Sequence, residues 1–318
     1  MDPSPAAPSP PQPPGQCRNW LELPRDVTES ILLRLGAIEI LTSAQKVCLL
    51  WRNICKDPSM WRAVDMRNPG DFWDMPYDLE TMCRHAVDRS CGQLVDINVE
   101  YFGTDELLNY IADCSSRLRR LRLVSCHSIS EEGLSEAAAK LPLLEELNIS
   151  YCSYWSLTKE PLEVVGRCCP LLKSLKLNSK GHRRPYIECD EEALAIAENM
   201  PELRQLQVFG NKLTNDGLLA ILDGCPHLES LDLRQCFNVN LTGNLGRRCA
   251  EQIKHLRFPT DPTDDIEIHD NGSSDEDCPS GFSDIDYFSD DYGYYEFSGD
   301  SDYSYYGDII DYGDFYFD

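Results

Sequence analysis

One short pattern, L-x-x-L-x-L, recurs through the middle of this 318-residue chain and limits its fold more than any other feature. Clear copies are LRRLRL, LEELNI, LKSLKL, LRQLQV and LESLDL, which begin at Leu118, Leu144, Leu172, Leu203 and Leu228, and weaker copies begin at Leu94 and Ile253. Successive copies begin 24 to 31 residues apart. A period of this length indicates stacked repeats, because a single unit of that size cannot bury its own apolar face.

Each copy predicts a short strand, a turn and a helix. The alternating leucines share one face of the strand, which we expect to be buried. Four copies continue with a small residue where the chain should turn inward, namely Cys126, Cys152, Asn211 and Cys236. Amphipathic segments such as EEGLSEAAAKL predict the helices. A proline then ends the helix before the next strand in four copies, at Pro142, Pro170, Pro201 and Pro226.

These units resemble leucine-rich repeats of the cysteine-containing type. We therefore predict an α/β solenoid over residues 64–258, with a linker and a capping helix at its N-terminal end. The copy at Leu172 departs from the pattern, because a basic insertion follows it with Lys180, His182, Arg183 and Arg184. This insertion is either a binding loop or a solvated one.

Residues 18–63 lack the repeat and predict a small helical module. Pro24 suits a first helical position, and Ile31, Leu32 and Leu35 form an apolar stripe that ends at Gly36. A second helix is predicted with one apolar face, made by Ala44, Val47, Cys48, Trp51, Ile54 and Cys55. Such a short segment has too little core to be stable alone, so a partner or the next domain should complete it.

This module resembles an F-box in its pattern L-P-x-D-V-x-x-x-I-x-x-R-L, followed by V-C-x-x-W-R and D-P-x-x-W. Together with the repeats, the chain resembles plant F-box/LRR proteins of the Skp-interacting kind. The resemblance implies that the module docks a Skp adaptor in a groove. The residues it implies for adaptor contact are Leu23, Pro24, Ile31, Leu35, Val47 and Trp51, whereas Trp61 is expected in the core.

The two ends of the chain differ in composition from the rest. Residues 1–17 are rich in proline and predict a disordered leader. From Asp261 onward there are 19 acidic residues and no Lys or Arg, so residues 259–318 predict a disordered, Tyr-rich acidic tail. This tail is either a solubilising appendage or a ligand for basic surfaces, including Arg120, Arg122 and the insertion. The rest carries 35 acidic residues (54 less 19) against 29 basic ones, which does not favour nucleic-acid binding.

Nothing in the sequence indicates catalysis or a cofactor. The six histidines lie outside any recognisable motif, and the cysteines form no C-x-x-C pair. We expect structural thiols, no metal and no cofactor. No apolar run of about 18 residues predicts a membrane span, and no signal peptide is recognised. The expected location is the nucleus, the cytoplasm or both.

The resemblance implies a substrate-recognition subunit of an SCF-type (cullin-RING) E3 ubiquitin ligase, which supplies proximity and not chemistry. Its partners would be the Skp adaptor, through it a cullin-RING ligase, and an unidentified protein substrate. Two alternatives stay open, a non-degradative protein-binding scaffold and a receptor with a small-ligand pocket. Strand alternation places the candidate substrate residues on the concave face, namely Arg120, Arg122, Asn148, Lys176, Gln207, Phe209, Asp232 and Arg234.

Overall fold

Helices and strands alternate along the chain, as the repeat pattern predicts. The computed structural model describes residues 23–67, 77–152, 158–179 and 187–265. The predicted leader, the basic residues Lys180, His182, Arg183 and Arg184, and the tail beyond Asp265 lie outside the described residues.

The described helices are α1 Arg25–Leu32, α2 Ala37–Thr42, α3 Leu49–Cys55, α4 Leu79–Arg89, α5 Asp105–Cys114, α6 Glu131–Ala138, α7 Lys159–Cys168, α8 Glu191–Asn199, α9 Asn215–Gly224 and α10 Gly243–Gln252. The strands are β1 Ala63–Asp65, β2 Asp96–Glu100, β3 Arg120–Val124, β4 Glu146–Ser150, β5 Ser174–Asn178, β6 Gln205–Gln207, β7 Ser230–Asp232 and β8 His255–Arg257. None of these helices is long and apolar enough to cross a membrane.

The strands form one parallel eight-stranded sheet in sequence order, β1 to β8. Equivalent leucines are aligned in the sheet, since Leu121 pairs with Leu147 and Leu147 with Leu175. These leucines are buried, and Arg120 and Arg122 beside them are half-buried on the other face. The predicted α/β repeat fold is therefore confirmed. Strand β1 was not predicted, because A-V-D does not match the repeat pattern.

The turn after each strand explains the repeat cysteines. The residue before the cysteine has left-handed backbone, with φ of 52° at Ser125, 59° at Tyr151 and 65° at Gln235. This backbone turns the next side chain inward. The Cys152 thiol then donates to the Leu123 carbonyl at 3.2 Å, and the Cys236 thiol donates to the Val208 carbonyl at 2.9 Å. Each such cysteine thus binds the backbone of the preceding repeat.

The helices lie on the convex side and pack closely on one another. Helix α9 ends at Gly224, where an added Cβ would lie 2.1 Å from the carbonyl oxygen of Ala197 in α8. Only glycine permits this approach. The buried side chains form one continuous core that extends from Leu32 in α1 to Ile253 after α10.

The predicted second helix is interrupted in the structure. A 3₁₀ turn, Ala44–Lys46, is followed by α3, whose first turn is capped by Cys48. Val47 lies between the two and is exposed, so it does not share one continuous helix with Ile54 and Cys55. A separate helix, α2, begins after Gly36, whose φ of 80° suits glycine. The short elements are stabilised by tertiary packing, which periodicity alone does not report.

Candidate protein-interaction sites

Exposed apolar side chains are concentrated in the N-terminal helical module. Of the eleven large hydrophobic side chains that are exposed in the described residues, five lie between residues 27 and 49. We call this set the docking patch, and its members are Val27, Leu33, Leu35, Val47 and Leu49. Leu49 is 74% exposed, an unfavourable position for an isolated leucine in water. A concentration of this kind is typical of a protein-binding surface.

The docking patch includes Leu35 and Val47, two of the six residues predicted to bind an adaptor. Pro24, Leu35 and Val47 are exposed, and Leu23, Ile31 and Trp51 are half-buried. All six are therefore at least partly accessible. The prediction omitted Val27, Leu33 and Leu49. The sequence V-C-L-L-W is apolar throughout, so it does not indicate which of its leucines remains exposed.

The two tryptophans of the module have different environments. Trp61 is 1% exposed, and its indole NH donates to the Cys55 carbonyl at 2.8 Å. Trp61 is therefore a core residue, as expected. Trp51 is only half-buried and packs against the edge of the core.

On the concave face, the N-terminal strands neutralise their own cations. Asp96 accepts from Arg120 Nε at 2.7 Å and from Arg122 Nη1 at 3.2 Å. The hydrogen bond to Asp96 raises the pKa of Arg120. The Ser150 hydroxyl donates to the Asn148 side-chain oxygen at 2.5 Å, so this oxygen already has a hydrogen-bond partner. These predicted substrate residues are therefore already engaged within the chain.

Two of the candidate substrate residues are buried. Phe209 is 3% exposed, so its prediction as the exposed aromatic of the concave face is wrong. It follows β6 in a tight turn, where strand alternation no longer applies. Arg234 is 4% exposed and also lies in a turn after its strand. Carboxylates on both sides cover its guanidinium, which is consequently not an open surface cation.

A cleft of about 650 Å³ lies over the C-terminal strands of the concave face. We call it the C-terminal cleft, and its charged and amide lining includes Lys176, Gln207, Asp232, Arg234, Arg257 and Asp265. Lys176 and Arg257 are exposed, and Gln207 and Asp232 are half-buried. The cleft thus contains four of the eight candidate residues, and it adds Arg257, which is in register with Asp232, and Asp265, neither of which was predicted.

Among the described residues, no group of three or more His, Cys, Asp or Glu side chains could hold a metal ion. Burial raises the pKa of the Cys83 and Cys236 thiols to about 12, so neither is a ready nucleophile at neutral pH. A helical module with exposed apolar side chains, joined to stacked repeats with a polar cleft, is an architecture typical of protein-binding adaptors.

Comparison with known proteins agrees with this class. The F-box-like family model matches residues 20–67, and a leucine-rich-repeat model matches residues 200–222. F-box protein SKIP19 of Arabidopsis thaliana is 57% identical over 91% of this chain and 93% of its own length. Putative F-box/LRR-repeat protein 23 of the same plant is 58% identical over 78% of this chain and 55% of its own length. A chain of the yeast Rad7–Elc1 complex is 18% identical, with a TM-score of 0.43, over 55% of this chain and 44% of that chain.

The chain belongs to the plant F-box/LRR-repeat family. Its relatives include further F-box/LRR-repeat proteins of Arabidopsis thaliana, such as putative protein 22 at 50% identity over 87% of this chain and 90% of that protein. Proteins of this family are generally non-catalytic adaptor subunits.

Proposed function

We propose that this chain is the substrate-recognition subunit of an SCF-type (cullin-RING) E3 ubiquitin ligase. The observation that carries the proposal is the docking patch on an F-box that is joined to a repeat domain. Relatives named SKIP, for Skp-interacting, support a Skp adaptor as the partner of this patch. The repeat domain would then select the protein that is to be modified.

The proposed contribution of the chain is proximity. One end binds the adaptor and the other holds a target, so transfer of ubiquitin becomes effectively intramolecular. The chemistry itself belongs to other subunits. A rigid connection matters for such a role, and here α4 packs against the F-box through Arg89, which donates to Gln45 at 3.0 Å. The F-box and the repeat domain are thereby in direct contact at α4.

The test is to place a charge within the docking patch. In the double variant Val47→Asp/Leu49→Asp, both side chains are already in solvent, so the fold should be retained. Binding to a Skp adaptor should fall at least about tenfold, because two carboxylates would be desolvated in an apolar groove. The measurement is co-purification with the adaptor, followed by titration.

The matched control is Leu143→Asp/Leu171→Asp, which alters two exposed leucines of the repeats. This control should bind the adaptor normally. Equal binding by the Val47/Leu49 variant and the unchanged chain would contradict adaptor docking at this patch. A second measurement, turnover of bound targets with and without the proteasome blocked, separates a degradative receptor from a non-degradative scaffold.

A further inference from the structure

The guanidinium of Arg234 is fixed on one side and reaches the C-terminal cleft on the other. Arg234 Nε donates to Asp232 at 3.0 Å, and Nη2 donates to the same carboxylate at 2.7 Å. This two-point pair sets the plane of the guanidinium. The remaining nitrogen, Nη1, donates to the Pro262 carbonyl at 2.9 Å and to the Asp265 carboxylate. Nη1 is the atom that a carboxylate from outside the sheet can reach.

Asp265 belongs to a segment that crosses the end of the sheet. The Gln235 amide donates to the Pro259 carbonyl at 2.9 Å, and the Phe258 amide donates to Asp261 at 2.9 Å. These bonds hold residues 259–265 beside the cleft. The Asp265 side chain is nevertheless 59% exposed, in contrast to 4% for Arg234. Asp265 is therefore a solvent-accessible anion on a buried cation.

Two other cations of the cleft, Lys176 and Arg257, form no ion pair within the described residues, whereas Lys254 pairs with Glu229 at 3.0 Å. The register of the sheet aligns Lys176, Gln207, Asp232 and Arg257 in one row across β5 to β8. Lys176 and Arg257 are exposed, and within the part of the chain that the structure describes neither forms an ion pair. At the opposite end of the sheet, Arg120 and Arg122 share Asp96. Lys176 and Arg257 are thus available to a ligand in the C-terminal cleft, whereas Arg120 and Arg122 at the other end are already paired.

The row also has the length of a short extended peptide. Three strand spacings of about 4.8 Å give roughly 14 Å, the length of about four extended residues. Gln207 lies within the row and offers an uncharged amide for backbone groups. Arg257 already lies close enough to Asp265 to lower the pKa of that carboxyl group, after the larger effect of the Arg234 hydrogen bond. The cleft therefore favours carboxylates at both of its ends.

We propose that the C-terminal cleft binds an extended acidic segment of the target protein, and that Asp265 occupies Arg234 until a target carboxylate replaces it. This inference rests on the proposed function, in which the repeat domain selects the target. Replacing one carboxylate by another keeps the buried Arg234 paired throughout. The net gain in binding comes from Lys176, Arg257 and the backbone contacts.

The experiment uses the full chain in complex with a Skp adaptor and a fluorescein-labelled deca-glutamate peptide, with deca-glutamine as the uncharged control. Asp265→Asn should bind deca-glutamate about threefold more tightly, since it removes the competing carboxylate. Asp264→Asn is the matched control, because Asp264 is exposed in the same segment and has the same charge. The control should leave the affinity within about 1.5-fold of the unchanged chain.

The second pair of variants tests the cations. Lys176→Gln/Arg257→Gln should weaken deca-glutamate binding about fivefold, whereas Lys140→Gln/Lys159→Gln on the helical side should leave it unchanged. Equal loss in both pairs would indicate a general charge effect and overturn the proposal. Equal competition by inorganic phosphate and deca-glutamate at the same charge concentration would indicate a small-anion site and also overturn it.

If the adaptor co-purifies but the peptide does not bind, only this inference fails. If the adaptor does not co-purify, the proposed function fails.

Discussion

The guanidinium carbon of Arg89 lies 5.4 Å from the centroid of the Trp61 ring. Arg89 is the last residue of α4, and Trp61 ends the 3₁₀ turn Pro58–Trp61 of the F-box. Burial lowers the pKa of Arg89, and the aromatic face and the Gln45 side chain compensate part of that burial. The F-box and the repeat domain therefore share a core at this point and should unfold together.

Trp61→Ala should lower the free energy of unfolding by about 3–5 kcal/mol, because it removes the largest fully buried side chain of the F-box. Trp51→Ala, at a half-buried position, should have a clearly smaller effect. Urea denaturation of the full chain, followed by circular dichroism and by tryptophan fluorescence, measures both. Two separate transitions in the unchanged protein would contradict a shared core.

Leu147→Ala should lower the free energy of unfolding by about 2–5 kcal/mol. Leu147 lies between Leu121 and Leu175 in the sheet, so the loss of packing should reach β3 and β5. Hydrogen exchange should then accelerate in all three strands. Glu146→Ala is the control, because Glu146 is an exposed position of the same strand. Faster exchange limited to β4 would argue against coupling between neighbouring repeats.

Asp78→Ala should lower the free energy of unfolding by about 1 kcal/mol at pH 7, since Asp78 caps α4 and accepts from the Glu80 amide at 2.9 Å. A hydrogen bond from the Thr81 hydroxyl holds the pKa of Asp78 below its ordinary value. The stabilisation is therefore complete above the unfolded-state pKa, about 4, and is lost as the pH falls through the lower folded-state value.

The difference in unfolding free energy between Asp78→Ala and the unchanged chain should accordingly shrink below about pH 4. Glu202→Ala, at an exposed position, is the control and should have little effect at either pH. Denaturant titrations at pH 7 and pH 3 provide the measurement. A constant difference at both values would contradict a contribution from the ionised cap.

Among the cysteines in the described residues, alkylation by iodoacetamide at pH 8 should modify Cys91 first in the native protein, because Cys91 is exposed. Cys83, Cys169 and Cys236 should react only after unfolding, since burial raises each thiol pKa to about 12. Mass spectrometry of the digested chain gives the rate at each site. In urea all these thiols should react, and rapid native modification of Cys236 would contradict its structural role.

The strands and the inward cysteines follow from local pattern. Leu121 and Leu147 occupy the same position in successive repeats, and Cys152 follows Leu147 at the position of a repeat cysteine. Because side chains alternate along a strand, burial of one face fixes which residues point inward. Trp61, as a large apolar residue, was likewise expected in the core. In these regions the local preference of each residue agrees with its tertiary environment, so the sequence alone was sufficient to predict where the residue lies.

The errors occur where a residue leaves regular structure. Phe209 and Arg234 were assigned by counting alternate positions beyond the ends of short strands, where the chain already turns. The pairing of Arg234 with Asp265 joins residues that share no period, so it needed coordinates. The same holds for Val47 and Leu49, whose exposure depends on which faces of the helices are covered by neighbours.

The sequential order of the parallel strands has a consequence for how the protein could change in length. The F-box packs at the β1 end, and the C-terminal cleft begins at β5, four strand spacings or about 19 Å away. Each repeat contacts its neighbours, so gaining or losing one between β2 and β4 would alter this reach by about 5 Å while preserving both ends. In the complex that we propose, the distance between adaptor and target would therefore change in whole steps, and each step would present a different set of target lysines to the ligase.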